Sequence, residues 1–400
     1  SCKPFLIIAF MYKLKRILYA TILISLGLAL LASLPYYNTK IYHFNKSEPF
    51  SGDQFYNPYS NLSNSWLKAN FHAHSKLFLG LTNGENTEDE MKKKYQSLNF
   101  DIASLSNYNS ITEESRKDSS FTVYEHGMNL GFTHQLVFNS DKSTYFDFPL
   151  FQNLSQKQMT INELKDSGSL IALAHPDFKW GYNLEDYNYL KNYDLMEVVS
   201  VRKKSLNHWD AALSAGKVVW GIGNDDSHDT TDSHCGVVWN KINTNDINND
   251  TILRRLQMGT SYFVKGWQGI DMLELKEMKV INDTLKLLLS SEADSITLIS
   301  DSGKTVKTAT NSSSIEYKID STNTYVRAEA FISRPWNTYT KLYFNPVIRV
   351  DSNNILEEKV QFKVDELNTF LYYLLLLIVD AMLIALMVLV IKKWKRTLNT

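Results

Sequence analysis

The sequence has little cysteine and almost no excess of charge. Its two cysteines, Cys2 and Cys235, lie far apart, one ahead of an apolar segment and one in the body of the chain, so no structural disulfide is expected. There are 42 lysines and arginines against 43 aspartates and glutamates, and no block of basic residues interrupts the body. The electrostatic signature of a nucleic-acid-binding protein is therefore missing, and we expect no DNA or RNA partner.

Apolar residues, in contrast, are plentiful. The 400 residues are 44% apolar and 12% aromatic, which supports a well-buried core and excludes a disordered chain. A chain of this length allows two or three domains. No internal repeat is visible along it.

Both ends carry apolar runs long enough to cross a bilayer as helices. Residues 17–34 follow three basic side chains, and residues 370–391 precede four others. Each run has the roughly 18 to 22 residues that span a bilayer core. Basic residues at the outer flanks place both termini in the cytoplasm by the positive-inside rule. The sequence thus predicts a protein of the plasma (inner) membrane, in contact with the lipid bilayer, with an extracytoplasmic body.

The first apolar run has a second interpretation, and the second run contains an ionisable residue. The first could be a cleaved signal peptide, but the small residues around Ala32 are badly spaced for cleavage, which favours a retained signal anchor. The second contains Asp380, and a carboxylate in lipid is costly enough to indicate a helix contact. Asp380 is therefore a candidate point for homo-oligomerisation through the transmembrane helices.

Between the two runs, strand and helix patterns alternate over residues 67–265, as in parallel strands of an α/β barrel or a doubly wound sheet. One apolar strand leads directly to His175, and another leads to Asp226 and His228. Because barrel active sites lie at the C-terminal ends of the strands, a barrel explains this placement better. From residue 266 onward, short alternating segments between polar turns predict an all-β sandwich.

Five histidines and two carboxylates occupy strand ends or their neighbourhood. Hydrolytic metal ions take roughly four to six donors with one position left for water, and a carboxylate that bridges two ions helps to hold a hydroxide nucleophile. The sequence therefore predicts a metal centre. Its candidate ligands are His72, His74, Glu125, His134, His175, Asp226 and His228.

The order of these residues resembles a known family. An H-x-H motif, a glutamate followed nine residues later by histidine, a His-Pro and a D-x-H, over residues 68–265, are similar to the PHP (polymerase and histidinol phosphatase) metal-dependent phosphoesterases. The resemblance implies a distorted (β/α)7 barrel that holds a cluster of divalent ions such as zinc, manganese or iron. By position it implies one metal on His72, His74, Glu125 and Asp226, a second on Glu125, His134 and His175 with Glu125 bridging, and a third that involves His228.

Two departures from the family pattern weaken the third site. Where the family has Thr-Asp-His-Asn, this chain has Ser-Asn-Tyr-Asn, so Asn107 and Tyr108 replace an acidic residue and a histidine. Asn83 also stands where the family has an acidic residue. The resemblance therefore implies two metals per chain. Residues 325–346 further resemble the β-domain of the extracytoplasmic, carbamate-hydrolase-like branch of the family.

These features predict a membrane-anchored, extracytoplasmic phosphoesterase that acts on a small-molecule or envelope-derived phosphoester. Its alternatives are a carbamate or amide hydrolase of the same fold, and a catalytically silent barrel that serves as a binding or scaffold protein at the envelope. The expected catalytic residues are Glu125, Asp226 and His228, and the candidate substrate contacts are Tyr108, Asn107 and Arg202.

The sequence also leaves some charged residues with two interpretations. Glu197, at the end of a predicted strand, either supports a metal ligand or is a satisfied core carboxylate. His126, His208 and His234 match no part of the pattern and are expected to be surface or hydrogen-bonded histidines. The predicted organisation is a tail and anchor at 1–36, a linker at 37–66, the barrel at 67–265, the sandwich at 266–365, and a helix with a basic tail at 366–400.

Overall fold

The computed structural model describes residues 3–80, 82–112, 121–231, 233–267, 270, 273–334, 338–351, 355–356 and 358–398. The chain divides into two compact units. The first comprises Ser1–His43, Phe146–Met159 and Phe362–Thr400, and the second comprises Phe44–Tyr145 and Thr160–Gln361.

The first unit contains the two apolar helices, α1 (Lys3–Ser33) and α6 (Glu366–Leu398), which contact each other. By length and composition alone, Phe10–Asn38 and Glu366–Thr397 qualify as candidate membrane spans. Asp380 of α6 accepts hydrogen bonds from the Ser33 hydroxyl at 3.1 Å and from the Tyr37 hydroxyl at 2.8 Å. The carboxylate that the sequence marks for helix association thus contacts the other apolar helix region of its own chain.

Among the described residues, the smaller sheet of the second unit has five strands, all of them buried along their length. Burial on both faces explains why apolar residues predominate without clean alternation, with Glu125, His126 and Glu197 as buried ionisable exceptions. The last three strands run parallel, whereas the first two pair antiparallel. Their order is β4 (Val123–His126), β5 (Gln135–Phe138), β6 (Leu170–Leu173), β7 (Leu195–Val199) and β8 (Trp220–Gly223).

The larger sheet has ten strands among the described residues. Eight of them are hydrogen-bonded neighbours in the spatial order β11 (Leu275–Ile281), β12 (Thr284–Ser300), β14 (Tyr325–Ser333), β15 (Tyr339–Val350), β10 (Ser261–Lys265), β9 (Val238–Ile242), β2 (Leu67–Asn70) and β3 (Ile102–Ala103). The other two are β1 (Gln54–Tyr56), which pairs with β15, and β13 (Lys304–Lys318), which pairs with β12.

The strand pairing confirms neither the expected barrel nor the expected sandwich. Strand β10 pairs antiparallel with β15, so hydrogen bonds cross the predicted boundary at residue 266. Phe263 and Tyr343, which are opposite each other in this pair, stack with ring centroids 5.0 Å apart. Alternation in the sequence reveals that such strands exist, but aromatic packing between distant segments selects their partners.

The described residues include four shorter α-helices in the second unit and part of the first. They are α2 (Glu88–Ser97), α3 (Leu154–Ser167), α4 (Leu206–Ser214) and α5 (Asn249–Gln257). Helix α2 begins at a capping box in which the Thr87 hydroxyl accepts from the Glu90 backbone N–H, and the Glu90 carboxylate accepts from the Thr87 N–H. Local capping of this kind satisfies backbone donors that the helix itself leaves unpaired.

Backbone contacts at strand ends bring the histidine-bearing segments together. Isolated parallel bridges join Ala73 to Ser227 and Tyr108 to Glu125. The Asp226 N–H also donates to the His72 carbonyl at 2.9 Å. The segment that follows β2 therefore lies against the turn that follows β8, and the segment that follows β3 lies against β4.

Candidate metal centre

Glu125 on β4 lies fully buried among four histidines. Its Oε1 is 2.7 Å from His134 Nδ1 and 3.1 Å from His175 Nε2. Its Oε2 is 3.3 Å from His72 Nε2 and 3.2 Å from His74 Nε2. Each carboxylate oxygen thus faces a different pair of imidazoles, which is the arrangement a carboxylate needs to bridge two metal ions.

Asp226 closes one side of the same cluster. Its Oδ1 lies 3.4 Å from Nε2 of both His72 and His74. Its backbone has a φ of 52°, and that of His175 has a φ of 27°, both in a region that non-glycine residues adopt uncommonly. Left-handed backbone at two candidate ligands is the kind of local strain that collects at functional sites.

All seven predicted ligands come together. The described residues contain four overlapping sets of three ligand atoms, each set within 4.8 Å and each residue buried. The overlap of the sets through Glu125 and Asp226 makes one continuous cluster. The sets are His72, His74 and Glu125; His72, His175 and Asp226; His74, Asp226 and His228; and Glu125, His134 and His175.

Glu197 on β7 orients His72. Its Oε1 lies 2.9 Å from His72 Nδ1 and also accepts from the Asn224 side-chain amide at 2.9 Å. Its Oε2 accepts from the backbone N–H of His175 at 2.9 Å. Because a carboxylate only accepts, Nδ1 of His72 carries a proton, so the neutral ring that binds a metal would present its Nε2 lone pair toward Glu125 and Asp226. Of the two interpretations of Glu197, support of a ligand is the one this geometry favours.

His228 is held in a similar way by the main chain. Its Nδ1 lies 3.0 Å from the Asp226 carbonyl oxygen, which accepts, and 3.3 Å from Arg202 Nη2, which donates. Its Nε2 is buried without a hydrogen-bond partner among the described residues and is the ring nitrogen that would bind a metal. Burial, followed by the charge of His74, lowers the pKa of His228 to about 4. The ring is therefore neutral at physiological pH, as a metal ligand must be.

The charges of the cluster shift the pKa values of its own members. Burial raises the pKa of Glu125, but the charges of His72 and His134 outweigh burial and hold that pKa well below its ordinary value. Burial likewise lowers the pKa of His72, and the charges of Glu197, Asp226 and Glu125 reverse this and raise the pKa well above the ordinary value. The carboxylate of Glu125 therefore remains ionised inside the protein.

The donor set fits divalent metal ions. Several buried atoms of the cluster have no hydrogen-bond partner among the described residues, although buried polar atoms are normally satisfied. Imidazole nitrogens with carboxylate oxygens suit zinc, manganese or iron. The atoms without a partner are His72 Nε2, both ring nitrogens of His74, Glu125 Oε2, His175 Nδ1 and His228 Nε2.

The three candidate substrate contacts differ in their placement. Tyr108 stacks on His74 with ring centroids 4.4 Å apart, and it lines an open cleft over the cluster together with Arg202. Asn107 is buried and does not line this cleft. Its Oδ1 accepts from the Ser75 backbone N–H, and its Nδ2 donates to the Ser75 hydroxyl, both at 2.8 Å. The structure therefore gives the Asn107 amide a structural role in place of the expected substrate contact.

The cleft also contains residues that the sequence did not single out. Phe132, Phe178 and Ser200 line it beside the predicted residues. Nothing in the local pattern marks them, although Phe132 lies two residues before His134 and Phe178 three residues after His175. The unmatched histidines lie elsewhere, with His126 Nδ1 2.9 Å from Gln135 Oε1 and His208 Nδ1 2.9 Å from the Tyr187 hydroxyl.

Comparisons with known proteins yield little. No family model matches the chain, and no curated protein matches its sequence. One solved structure that matches is a two-domain protein containing a predicted PHP-like metal-dependent phosphoesterase from Bacteroides vulgatus ATCC 8482, with 11% identity over 80% of this chain and 99% of that one and a TM-score of 0.39. A likeness of this extent transfers no activity from that protein to this chain.

Proposed function

We propose that this chain is a metal-dependent hydrolase that cleaves phosphoesters with a centre of two divalent ions. The observation that carries the proposal is the placement of Glu125, whose two carboxylate oxygens face two separate pairs of histidines. The ordered H-x-H, His-Pro and D-x-H motifs, which resemble the PHP phosphoesterases, support the same class of reaction.

The chain's own residues would do most of the positioning. His72, His74 and Asp226 would hold one ion, His134 and His175 would hold the other, and Glu125 would bridge them. Metal ions bound there lower the pKa of water and offset charge that develops on the phosphoryl oxygens. Glu197 keeps His72 in the tautomer that presents a lone pair to the ion.

At the mouth of the cleft, Arg202 and Tyr108 would bind the substrate. Arg202 presents a guanidinium that pairs well with phosphate oxygens. The phenol of Tyr108 can donate a hydrogen bond to a substrate oxygen from beside His74. His228 completes the cluster on the Asp226 side, where its set shares His74 and Asp226 with the first ion and Tyr108 stands in place of the family's histidine.

The proposed fold is a distorted seven-stranded barrel. Strands β4 to β8 and strands β2 and β3 belong to different sheets, but the bridges Ala73–Ser227 and Tyr108–Glu125 join their ends. The ring would consist of the seven strands β2 to β8 and would close at these two points. This closure would leave the ligands at strand ends, where active sites of α/β barrels lie.

We also propose that the protein is anchored in the plasma (inner) membrane with its hydrolase unit outside the cytoplasm. Support comes from the two apolar helices and their basic outer flanks. The contacts of Asp380 with Ser33 and Tyr37 supply polar partners for a carboxylate that would otherwise be costly in lipid.

A carbamate or amide hydrolase is the second candidate. Tyr108 occupies the place of a family histidine beside His74, and a centre without a third ion is as well suited to carbonyl chemistry as to phosphate esters. A scaffold without catalysis is the third outcome.

One experiment separates these candidates. The full chain would be stripped of metal, supplied with Zn²⁺ or Mn²⁺, and assayed with aryl phosphate monoesters, diesters and carbamates. Glu125→Gln would be compared with Glu163→Gln, a matched change at an exposed carboxylate. Ester turnover that requires metal and is lost only in Glu125→Gln supports the phosphoesterase. Turnover of carbamates alone, or binding of metal without turnover, contradicts it.

A further inference from the structure

The cleft over the metal centre has an aromatic wall that the proposed chemistry does not use. The rings of Phe132 and Phe178 meet edge to face with centroids 5.0 Å apart. Phe132 also packs 5.6 Å from the ring of His134, and Phe178 packs 5.5 Å from the ring of His175. The wall therefore stands directly beside two candidate metal ligands.

The wall is held in place by its loops. Phe132 has a φ of 58°, an uncommon conformation for a bulky side chain. The residue after Phe132, Thr133, is fixed by the Asn129 side chain. The Asn129 Oδ1 accepts from the Thr133 N–H at 2.9 Å, and its Nδ2 donates to the Thr133 carbonyl oxygen at 3.1 Å. A Cβ at Gly181 would lie 2.6 Å from the Phe132 carbonyl oxygen, so the loop that carries Phe178 must pass close by. Strain maintained by the surroundings is a mark of a preorganised site.

Cations stand next to the aromatic rings. Arg202 and Lys203 line the same cleft, in which Asp226 is the one carboxylate among the lining residues described. Lys203 Nζ is 5.8 Å from the Phe178 centroid, and Lys179 Nζ is 3.9 Å from the Phe132 centroid. The open part of the cleft thus combines a flat apolar surface with positive charge.

The same two loops also present apolar side chains to solvent. Met128 and Leu130 are 61% and 56% exposed in the loop that leads to Phe132. Trp180 is 66% exposed in the loop that follows Phe178. Single exposed apolar residues are ordinary, but three on the two loops that form one cleft make an apolar rim.

We propose that this cleft selects anions with an aromatic substituent, with the ring against Phe132 and Phe178 and the anionic group beside Arg202 and Lys203. The inference rests on the proposed function, because it assigns the substrate class of that site. Edge-to-face contacts with two phenylalanines favour a flat ring over an alkyl group of similar size. Phe132 and Phe178 are therefore specificity-determining residues.

Binding of phosphonates tests the inference without turnover. The full chain in lipid nanodiscs, loaded with Zn²⁺, would be titrated calorimetrically with phenylphosphonate, cyclohexylphosphonate and methylphosphonate. We expect phenylphosphonate to bind about 10-fold more tightly than methylphosphonate, and cyclohexylphosphonate to fall between them. Phe178→Ala should remove most of this difference, whereas Tyr145→Ala, at an exposed aromatic outside the cleft, should preserve it.

Phe132→Gly is a second variant, which removes a ring of the aromatic wall with less risk of disturbing the fold. Glycine adopts a φ of 58° without strain, so the ring is removed while the backbone keeps its conformation. Equal affinities for the phosphonates in the wild type, no binding of any of them, or an unchanged preference in both phenylalanine variants would overturn the inference. Selective phenylphosphonate binding without hydrolysis of any ester would retain it and instead overturn the phosphoesterase proposal.

Discussion

Glu197 Oε1 and His72 Nδ1 lie 2.9 Å apart in the interior of the protein, where both side chains are fully buried. The contact sets the tautomer of His72 and turns its other nitrogen toward Glu125. A carboxylate that supports a histidine ligand in this way increases the basicity of the ligand and restrains its ring.

Glu197→Gln should weaken metal binding without removing a ligand. The amide loses the charge that stabilises His72 and can present an N–H where an acceptor is needed, so we expect a loss of about 10- to 100-fold in metal affinity. Competition with a zinc chelator measures the affinity. Glu163→Gln serves as the control, and equal affinity in the Glu197 variant and the wild type would refute the supporting role.

Single ligand variants should change the number of bound ions in a defined way. His74→Ala removes a ligand of the ion proposed to bind His72, His74 and Asp226. His134→Ala removes a ligand of the ion proposed to bind His134 and His175. We expect each to bind one ion per chain where the wild type binds two, and Glu125→Ala to bind fewer than either because its oxygens face both sets. Elemental analysis after gel filtration gives the stoichiometry. A wild type that holds a single ion would contradict the two-metal centre.

A buried ion pair that is not part of the candidate metal cluster should affect the stability of the fold and leave metal binding unchanged. The Arg327 guanidinium donates to Asp210 through two hydrogen bonds of 2.7 Å, and both side chains are buried. Arg327→Met leaves the Asp210 carboxylate without a cation, with the Tyr325 hydroxyl as its remaining donor, and removes one partner of Glu329. It should lower the free energy of unfolding by about 3–5 kcal/mol. Lys276→Met breaks an exposed pair with Glu274 and should cost less than about 1 kcal/mol. Denaturant unfolding measures both, and comparable losses would contradict the expectation.

Glu329, which is bound to Arg327 and Lys341, should make the protein sensitive to acid. Burial raises the pKa of Glu329, but the charges of Arg327 and Lys341 outweigh it and lower that pKa below the ordinary 4.5. A lowered folded-state pKa contributes stability above pH 4.5 that is lost as the pH falls toward the folded-state value. Glu329→Gln should therefore flatten the dependence of the free energy of unfolding on pH below 4.5. A wild-type curve and a variant curve of equal slope would exclude this role.

The proposed topology can be tested by labelling engineered cysteines. In a Cys2→Ser background, Lys142→Cys places a thiol on the exposed surface of the second unit, and Thr397→Cys places one near the basic end of α6. A membrane-impermeant maleimide should label position 142 in intact spheroplasts and position 397 only after permeabilisation. Labelling of position 397 in intact spheroplasts, or protection of position 142, would contradict cytoplasmic termini.

The sequence by itself determined the local features of this protein. Residue type and short spacing predict the two long apolar helices and the capping box at Thr87 and Glu90. They also predict histidines at or near strand ends. The seven candidate ligands could be chosen because metal chemistry demands imidazoles and carboxylates after apolar strands. Such signals lie within a few residues of one another, where periodicity and capping apply.

Tertiary structure alone decided which distant segments meet. Glu197 and His72 are 125 residues apart in the chain, and no local pattern joins them. The loops that carry Phe132 and Phe178 pass closely at Gly181, where a side chain would meet the Phe132 carbonyl oxygen. The Asn107 amide lies outside the cleft and is satisfied by Ser75. The pairing of β10 with β15 crosses the expected boundary at residue 266, since strand partners are selected by packing on both faces of a sheet and not by alternation along one strand.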